Sequence, residues 1–276
     1  MKDKALEYFT QIKADISANR LILPSLPEVA IRVRELTRDT LCTLLHFEHE
    51  IGKDAAIAAR VLKVANSAAL RRDNPASTLK QAIEVLGTEL VCSLVTQLSI
   101  LQTMQMSKDK TRLHDFVASS LRISELCYSI ASQYPHLNPE QAALAGLLHD
   151  IGKLPLRDFL LAQEDLTKRQ RIEFEILLHP LVGALLLEHW RMHEELVQVV
   201  RSHEQILRDS PKALPDYTDV VISANLLHYG RVKGRYAKYA DTDIPALRKC
   251  QQNLPKSHLD AQLSQRILLS NALISA

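Results

Sequence analysis

The sequence predicts an all-α protein, and three observations carry that expectation. Apolar residues recur at three- and four-residue steps along most of the 276 residues. Only 7 glycines and 5% aromatic residues are present, too few for a turn-dense β architecture. Helix start and stop signals flank the periodic runs, and no run alternates at period two over a useful length.

The elements follow in order. MKDKALEYFTQIKADISANR mixes charge with apolar residues and lacks the continuous apolar core of a signal peptide. In LPSLPEVAIRVREL, Pro24 and Pro27 fix the entry into the first core helix. In DAAIAARVLKVANSAAL, Ile57, Val61, Val64 and Ala68 share one helix face, and Asn66 caps or turns the chain at its end. STLKQAIEVLG reads as a complete helix: Thr78 caps, Gln81 closes a capping box and Gly87 stops it. ELVCSLVTQLSILQTM is apolar nearly all round and belongs in the middle of a helical core, but Ser, Thr and Gln break it as a membrane span. The polar stretch MSKDKTR at 106–112 reads as a hinge, dividing the chain into 1–107 and 108–276.

Beyond the hinge, LHDFVASSLRISELCYSIASQY forms a long amphipathic helix. In LNPEQAALAGLLHDIG, Asn138 caps, Pro139 takes the first helical position and Gln141 makes a capping-box-like start, with Gly152 as the stop. His179-Pro180 opens a further helix, PLVGALLLEHW. EELVQVVRSHE, DYTDVVISANLLHYG, DIPALRKCQQN and HLDAQLSQRILLSNALIS complete the helices.

Composition narrows the function. The net charge of +2 supplies no global attraction to nucleic acid or an anionic membrane. Cys42, Cys92, Cys127 and Cys250 lie far apart with no C-x-x-C, so neither a zinc knuckle nor a dithiol site is expected, and the cytoplasm is the default compartment. His46/His49 and His189/His193 have helical pair spacings that suit zinc, but each pair sits among glutamates as a solvated face does. In YGRVKGRYAKY, Arg231, Lys233, Arg235 and Lys238 interleave with three tyrosines. That pattern suits a phosphate or nucleic-acid patch, against the plainer reading of an exposed loop.

The strongest chemical signal is GLLHDIGK. Adjacent His149 and Asp150 on a helix point about 100° apart, so both flank one centre only near a helix end. Imidazole and carboxylate together suit Fe, Mn or Zn.

These residues carry a family resemblance. GLLHDIGK resembles the signature of the HD superfamily of metal-dependent phosphohydrolases. Leu23-Pro24-Ser25-Leu26-Pro27, Asp54, Ala65-Asn66-Ser67 and Ala82-Ile83-Glu84-Val85-Leu86-Gly87 resemble, in the same order, the HDOD domain, the HD-related output domain of bacterial signalling proteins; Ala55 stands where that family usually has proline. The resemblance spans roughly residues 20–230. It implies a multi-helix HDOD fold, an N-terminal helical lobe packed on an HD-like lobe. It also implies a metal-ligand set of which His149, Asp150, His179 and His203 are kept, while Ser119, Ser202 and Asn225 stand where further ligands are expected. The glycine-tyrosine-proline motif of cyclic-di-GMP phosphodiesterases is absent after SHEQ. Ser and Asn are poor ligands for Zn or Fe, so a dinuclear centre is not expected.

Two functions follow from the resemblance. One is a non-catalytic regulatory module without a resident cofactor, acting through a signalling protein or a phosphorylated small ligand. The other is a phosphohydrolase with a reduced ligand set holding a single divalent transition metal, with Asp150 and Lys153 as its working residues and Lys153 steadying a phosphate. Beside both stands a purely structural reading, in which the histidines are hydrogen-bonded core groups.

Overall fold

A computed structural model describes residues 2–18, 21, 23–67, 75–105, 113–231 and 234–251. Among the described residues every regular element is helical, in agreement with the all-α expectation, and no single helix is long and apolar enough to cross a membrane. Ala68, Lys233, the proposed hinge at 106–112 and the helix expected at 258–275 lie outside the described residues. The chain forms two compact units.

The smaller unit, Leu26–Gln105, contains α1-independent helices α2 to α6, numbered after the N-terminal α1 (Lys2–Ser17). They are α2 (Glu28–Leu36), α3 (Leu44–Gly52), α4 (Ala55–Ala65), α5 (Leu79–Leu86) and α6 (Thr88–Gln105). The apolar stripe read from the sequence is the core: Val33, Ile51, Ile57, Val61, Val64, Ile83, Leu94 and Leu98 are all fully buried. Asp54 caps α4 through the backbone N–H groups of Ala56 and Ile57. Asn66 ends it and binds Ala76 in both directions, donating to its carbonyl and accepting from its N–H, each at 2.7 Å. The Thr78–Gln81 capping box forms, and Gly87 ends α5 with φ +79°, a left-handed value that favours glycine. Residues 93–101 of α6 are all buried; Thr96 donates to the Cys92 carbonyl and Gln97 to the Ser93 hydroxyl, while the Ser99 hydroxyl has no partner.

The larger unit takes Met1–Ser25 together with Met106–Leu254. A division at residue 107 therefore separates α1 from the elements it packs on. Tyr8 and Ile12 of α1 bury against Phe159, Phe174, Leu178 and Val182, and the Tyr8 ring meets Phe159 and Phe174 edge-on. The unit's other helices are α7 (Leu113–Ala131), α8 (Pro139–Leu148), α9 (Lys153–Leu161), α10 (Lys168–His189), α11 (Glu194–Ser202), α12 (Tyr217–Tyr229) and α13 (Pro245–Gln251). Asn138 caps α8 as expected. Gln141 reaches across to Glu195 instead of closing a box.

Two sequence readings need correction. His179-Pro180 does not open a helix: α10 begins eleven residues earlier, at a Thr167–Gln170 capping box, and carries Pro180 in its interior. Proline signals a helix start only when the preceding turn is unsupported, and here Phe174 and Leu178 are core residues. Gly152 is not a left-handed helix stop either. Its φ of −62° is right-handed and α9 follows at once.

Gly152 is required by contact. A Cβ built on it would lie 2.1 Å from the His179 carbonyl oxygen and 2.4 Å from the Gly183 nitrogen. One on Gly183 would meet Val200 at 2.6 Å. Backbone atoms there cannot yield as a flexible side chain would. Gly152→Ala should destabilise the protein by about 2 kcal/mol or more in urea unfolding. Gly52→Ala, with nothing within 4 Å of the new methyl, should be close to neutral. Equal midpoints for the two variants would refute the contact as a constraint.

Candidate metal centre

The centre grows from three helix ends and one helix interior, all in the larger unit. α8 stops at Leu148, and a right-handed turn carries His149 and Asp150 into α9. His179 comes from the middle of α10, one turn before Gly183. His203 caps the end of α11, and Glu204 follows it.

Asp150, His179, His203 and Glu204 offer one ligand atom each within 4.8 Å of one another. His179 Nε2 lies 3.0 Å from Asp150 Oδ1 and 3.1 Å from His203 Nε2. His203 Nε2 lies 3.4 Å from Asp150 Oδ1, and both imidazoles are 3.5–3.6 Å from Glu204 Oε1. Four ligands at about 2.0–2.2 Å from one ion have neighbours about 3–3.6 Å apart, so the spacing fits a metal.

The rings are fixed in tautomer as well as position. His179 Nδ1 donates to the Glu175 carbonyl at 2.7 Å, His203 Nδ1 to Val200 at 2.8 Å, and His149 Nδ1 to Gly146 at 2.7 Å. A carbonyl only accepts, so each Nδ1 carries a proton, and the Nε2 atoms of His179 and His203 face one another across the centre. Two Nε2 lone pairs 3.1 Å apart need a proton or a cation between them. Burial alone disfavours charge on His203, but Asp150 and Glu204 outweigh it and raise its pKa to about 9. Burial likewise opposes ionisation of Asp150, yet Lys153 and His149 hold its carboxyl well below the usual range. Glu204 is lowered too: His179, His203 and Arg235 overcome the cost of its burial.

Asp150 Oδ1 supplies the most direct test of fit. It is buried, and no hydrogen bond of good geometry reaches it. A buried carboxylate oxygen facing two imidazole nitrogens is an incomplete arrangement, and two nitrogens with two oxygens is a set that Fe, Mn or Zn accepts.

The sequence-derived candidates divide on this geometry. Asp150, His179 and His203 come together, but His149 stands outside the group. Its Nε2 lies 3.5 Å from Asp150 Oδ2, on the side away from Oδ1, and its ring meets His203 edge-on at 5.1 Å. Neighbouring residues in a right-handed turn diverge by about 100°, so Asp150 faces the centre and His149 backs it. Lys153 is buried and pairs with Asp150 Oδ2, which commits its charge to that carboxylate rather than to a phosphate. Glu204 was not among the candidates. Its signal was its place directly after His203 at a helix end, the same circumstance that singles out Asp150.

Ser119 sits within reach of Tyr229, while Asn225 is buried with both amide atoms unpartnered. Asp219 faces elsewhere, pairing with Arg208 and closing the cap of α12. His114 and Asp115 are exposed on α7. His46 serves the α3 capping box through Nδ1, and His193 caps α11.

The basic segment after α12 is not a stripe of four free cations. Arg231 donates to the carbonyls of Tyr239, Ala240 and Thr242 and clamps the chain there. Arg235 pairs with Glu204 Oε1, and Lys238 lies over the Tyr239 ring at 4.9 Å. Arg231→Ala should speed amide exchange across 237–244 by about tenfold or more, as read by hydrogen-exchange mass spectrometry. Unchanged exchange would remove Arg231 as the clamp.

The HDOD domain family model matches residues 23–206. Three solved structures share the fold. A protein provisionally named a metal-dependent phosphohydrolase, from Shewanella amazonensis SB2B, is 24% identical with a TM-score of 0.76, covering 98% of this chain and 99% of its own. An HDOD domain protein of unknown function from Geobacter sulfurreducens is 20% identical with a TM-score of 0.69, covering 97% and 98%. A protein provisionally named for signal transduction, from Marinobacter aquaeolei VT8, is 20% identical with a TM-score of 0.61, covering 93% of this chain and 59% of its own. At such identities the likeness is one of fold. No curated protein matches the sequence.

Proposed function

The chain belongs to the HDOD domain family, and from that premise we propose that it is a regulatory module of signal transduction whose larger unit holds one divalent transition metal, Fe, Mn or Zn, and recognises a phosphorylated small ligand there. The observation that carries the reading is Asp150 Oδ1: buried, without a hydrogen bond, and facing His179, His203 and Glu204. Asp150, His179, His203 and Glu204 would hold the ion. When bound, the metal would supply positive charge to neutralise phosphoryl oxygens.

The protein's own residues do the rest. Three Nδ1–H bonds to backbone carbonyls hold the imidazoles in one tautomer and orientation. Lys153 anchors Asp150 through Oδ2 and leaves Oδ1 toward the centre. Arg235 anchors Glu204. Ser119, Ser202 and Asn225 stand where HD enzymes carry further ligands, which favours binding at a single metal over dinuclear hydrolysis. A single-metal phosphohydrolase is the second reading, favoured by the donor set itself: imidazole and carboxylate without thiolate.

Metal content of the full chain, measured by elemental mass spectrometry after loading with Mn, Fe or Zn, tests the assignment. The wild type should carry close to one ion per chain, Asp150→Ala and His203→Ala under about a tenth, and His149→Ala most of it. A wild type that takes up none of the three metals overturns the proposal. Phosphoester turnover by the loaded wild type, abolished in Asp150→Ala, would replace it with the second reading.

A further inference from the structure

Two residues of the segment after α12 interact with the carboxylates of the centre without belonging to its ligand set: Arg235 by direct contact and Tyr236 electrostatically. Arg235 meets Glu204 through Oε1, the same atom that faces both imidazole Nε2 nitrogens. Its guanidinium is therefore one atom removed from the centre. A guanidinium has five N–H donors. Among the described residues the Glu204 carboxylate is its hydrogen-bond acceptor, and the side chain keeps 27% of its surface exposed. The next residue, Tyr236, is 2% exposed, and its hydroxyl has no hydrogen-bond partner. Burial and the nearby Glu204 raise the pKa of that hydroxyl, so it remains protonated and available as a donor. The Arg235 guanidinium lies over the Tyr236 ring at 5.4 Å, which ties the two side chains together.

Holding the segment in place does not account for Arg235. Arg231 clamps the carbonyls of Tyr239, Ala240 and Thr242, and the Tyr236 ring packs with Ile206, Ile222, Leu226 and Ile244. Anchorage and packing are thus met by other groups, leaving the Arg235 head on Glu204 and the buried Tyr236 hydroxyl within electrostatic reach of Glu204 and Asp150.

We infer that Arg235 and Tyr236 form an oxyanion-binding wall on the centre, fitted to the terminal phosphoryl group of a phosphomonoester. The charge count favours a monoester. Asp150 and Glu204 are balanced by Lys153 and Arg235. A divalent ion added to that balanced set leaves two positive charges, which a phosphomonoester dianion neutralises and a diester monoanion does not. The inference rests on the metal reading above and extends it to the class of ligand.

The test is calorimetric titration of inorganic phosphate into the Mn-loaded full chain, with metal content measured on the same samples. Tyr236→Phe removes one oxygen and leaves the ring packing intact; Arg235→Gln removes the charge. Each should weaken phosphate binding by about tenfold or more at unchanged metal content. Phenyl phosphate should displace phosphate and diphenyl phosphate should not. Unaltered phosphate affinity in both variants at full metal content, no phosphate binding by the loaded wild type, or equal displacement by the diester would each overturn the inference while leaving the metal reading intact. Phosphate binding that depends on Arg235 and Tyr236 in a protein that takes up no metal would support the wall and overturn the metal reading instead.

Discussion

The close approach of Gly152 to Gly183 is the constraint on which the centre depends. α10 lies against the turn between α8 and α9 at a distance no side chain permits. His179 is one helical turn before Gly183, and Asp150 is two residues before Gly152. Backbone contact at the glycines therefore sets the spacing between His179 and Asp150, which meet at 3.0 Å. Val200 of α11 occupies the space over Gly183, and three residues later that chain supplies His203. One contact thus fixes the relative position of three elements that each contribute a side chain to the centre.

Around that geometry the electrostatics are arranged in pairs. Each inward carboxylate has a cation: Lys153 on the outer oxygen of Asp150, and Arg235 on the Glu204 oxygen that also faces the imidazoles. Each imidazole spends its outer N–H on a backbone carbonyl. The outer contacts hold the inner atoms in place and keep both carboxylates ionised despite burial. What remains unsatisfied, Asp150 Oδ1, points to the middle. Burying a charged oxygen without a donor is costly.

Much of the fold was legible because its causes are local. Thr78, Gln81 and Gly87 define α5 by capping chemistry and a left-handed backbone, both properties of a few adjacent residues. Asp54 and Asn138 cap for the same reason. His179-Pro180 misled because proline at a helix start and proline inside a packed helix look alike in sequence; the core contacts of Phe174 and Leu178 distinguish them. The basic segment divides in a way its spacing does not reveal. Four cations in eleven residues suggest one surface, yet Arg231 turns back to its own carbonyls and Arg235 turns inward.

The sequence by itself determined the helical class, both ends of α5, the start of α8 and the HDOD resemblance, and it singled out Asp150, His179 and His203. Those properties depend on short-range periodicity, capping and motif spacing. Tertiary structure decided which atoms of those residues face one another. It set Glu204 rather than His149 beside Asp150, His179 and His203, committed Lys153 to Asp150 and brought Arg235 to Glu204 from a segment more than thirty residues beyond His203. The physical reason is that side-chain direction at a helix end depends on the turn that follows and on the element packed against it. Here both are set by two glycines thirty-one residues apart, in contact only once the chain is folded.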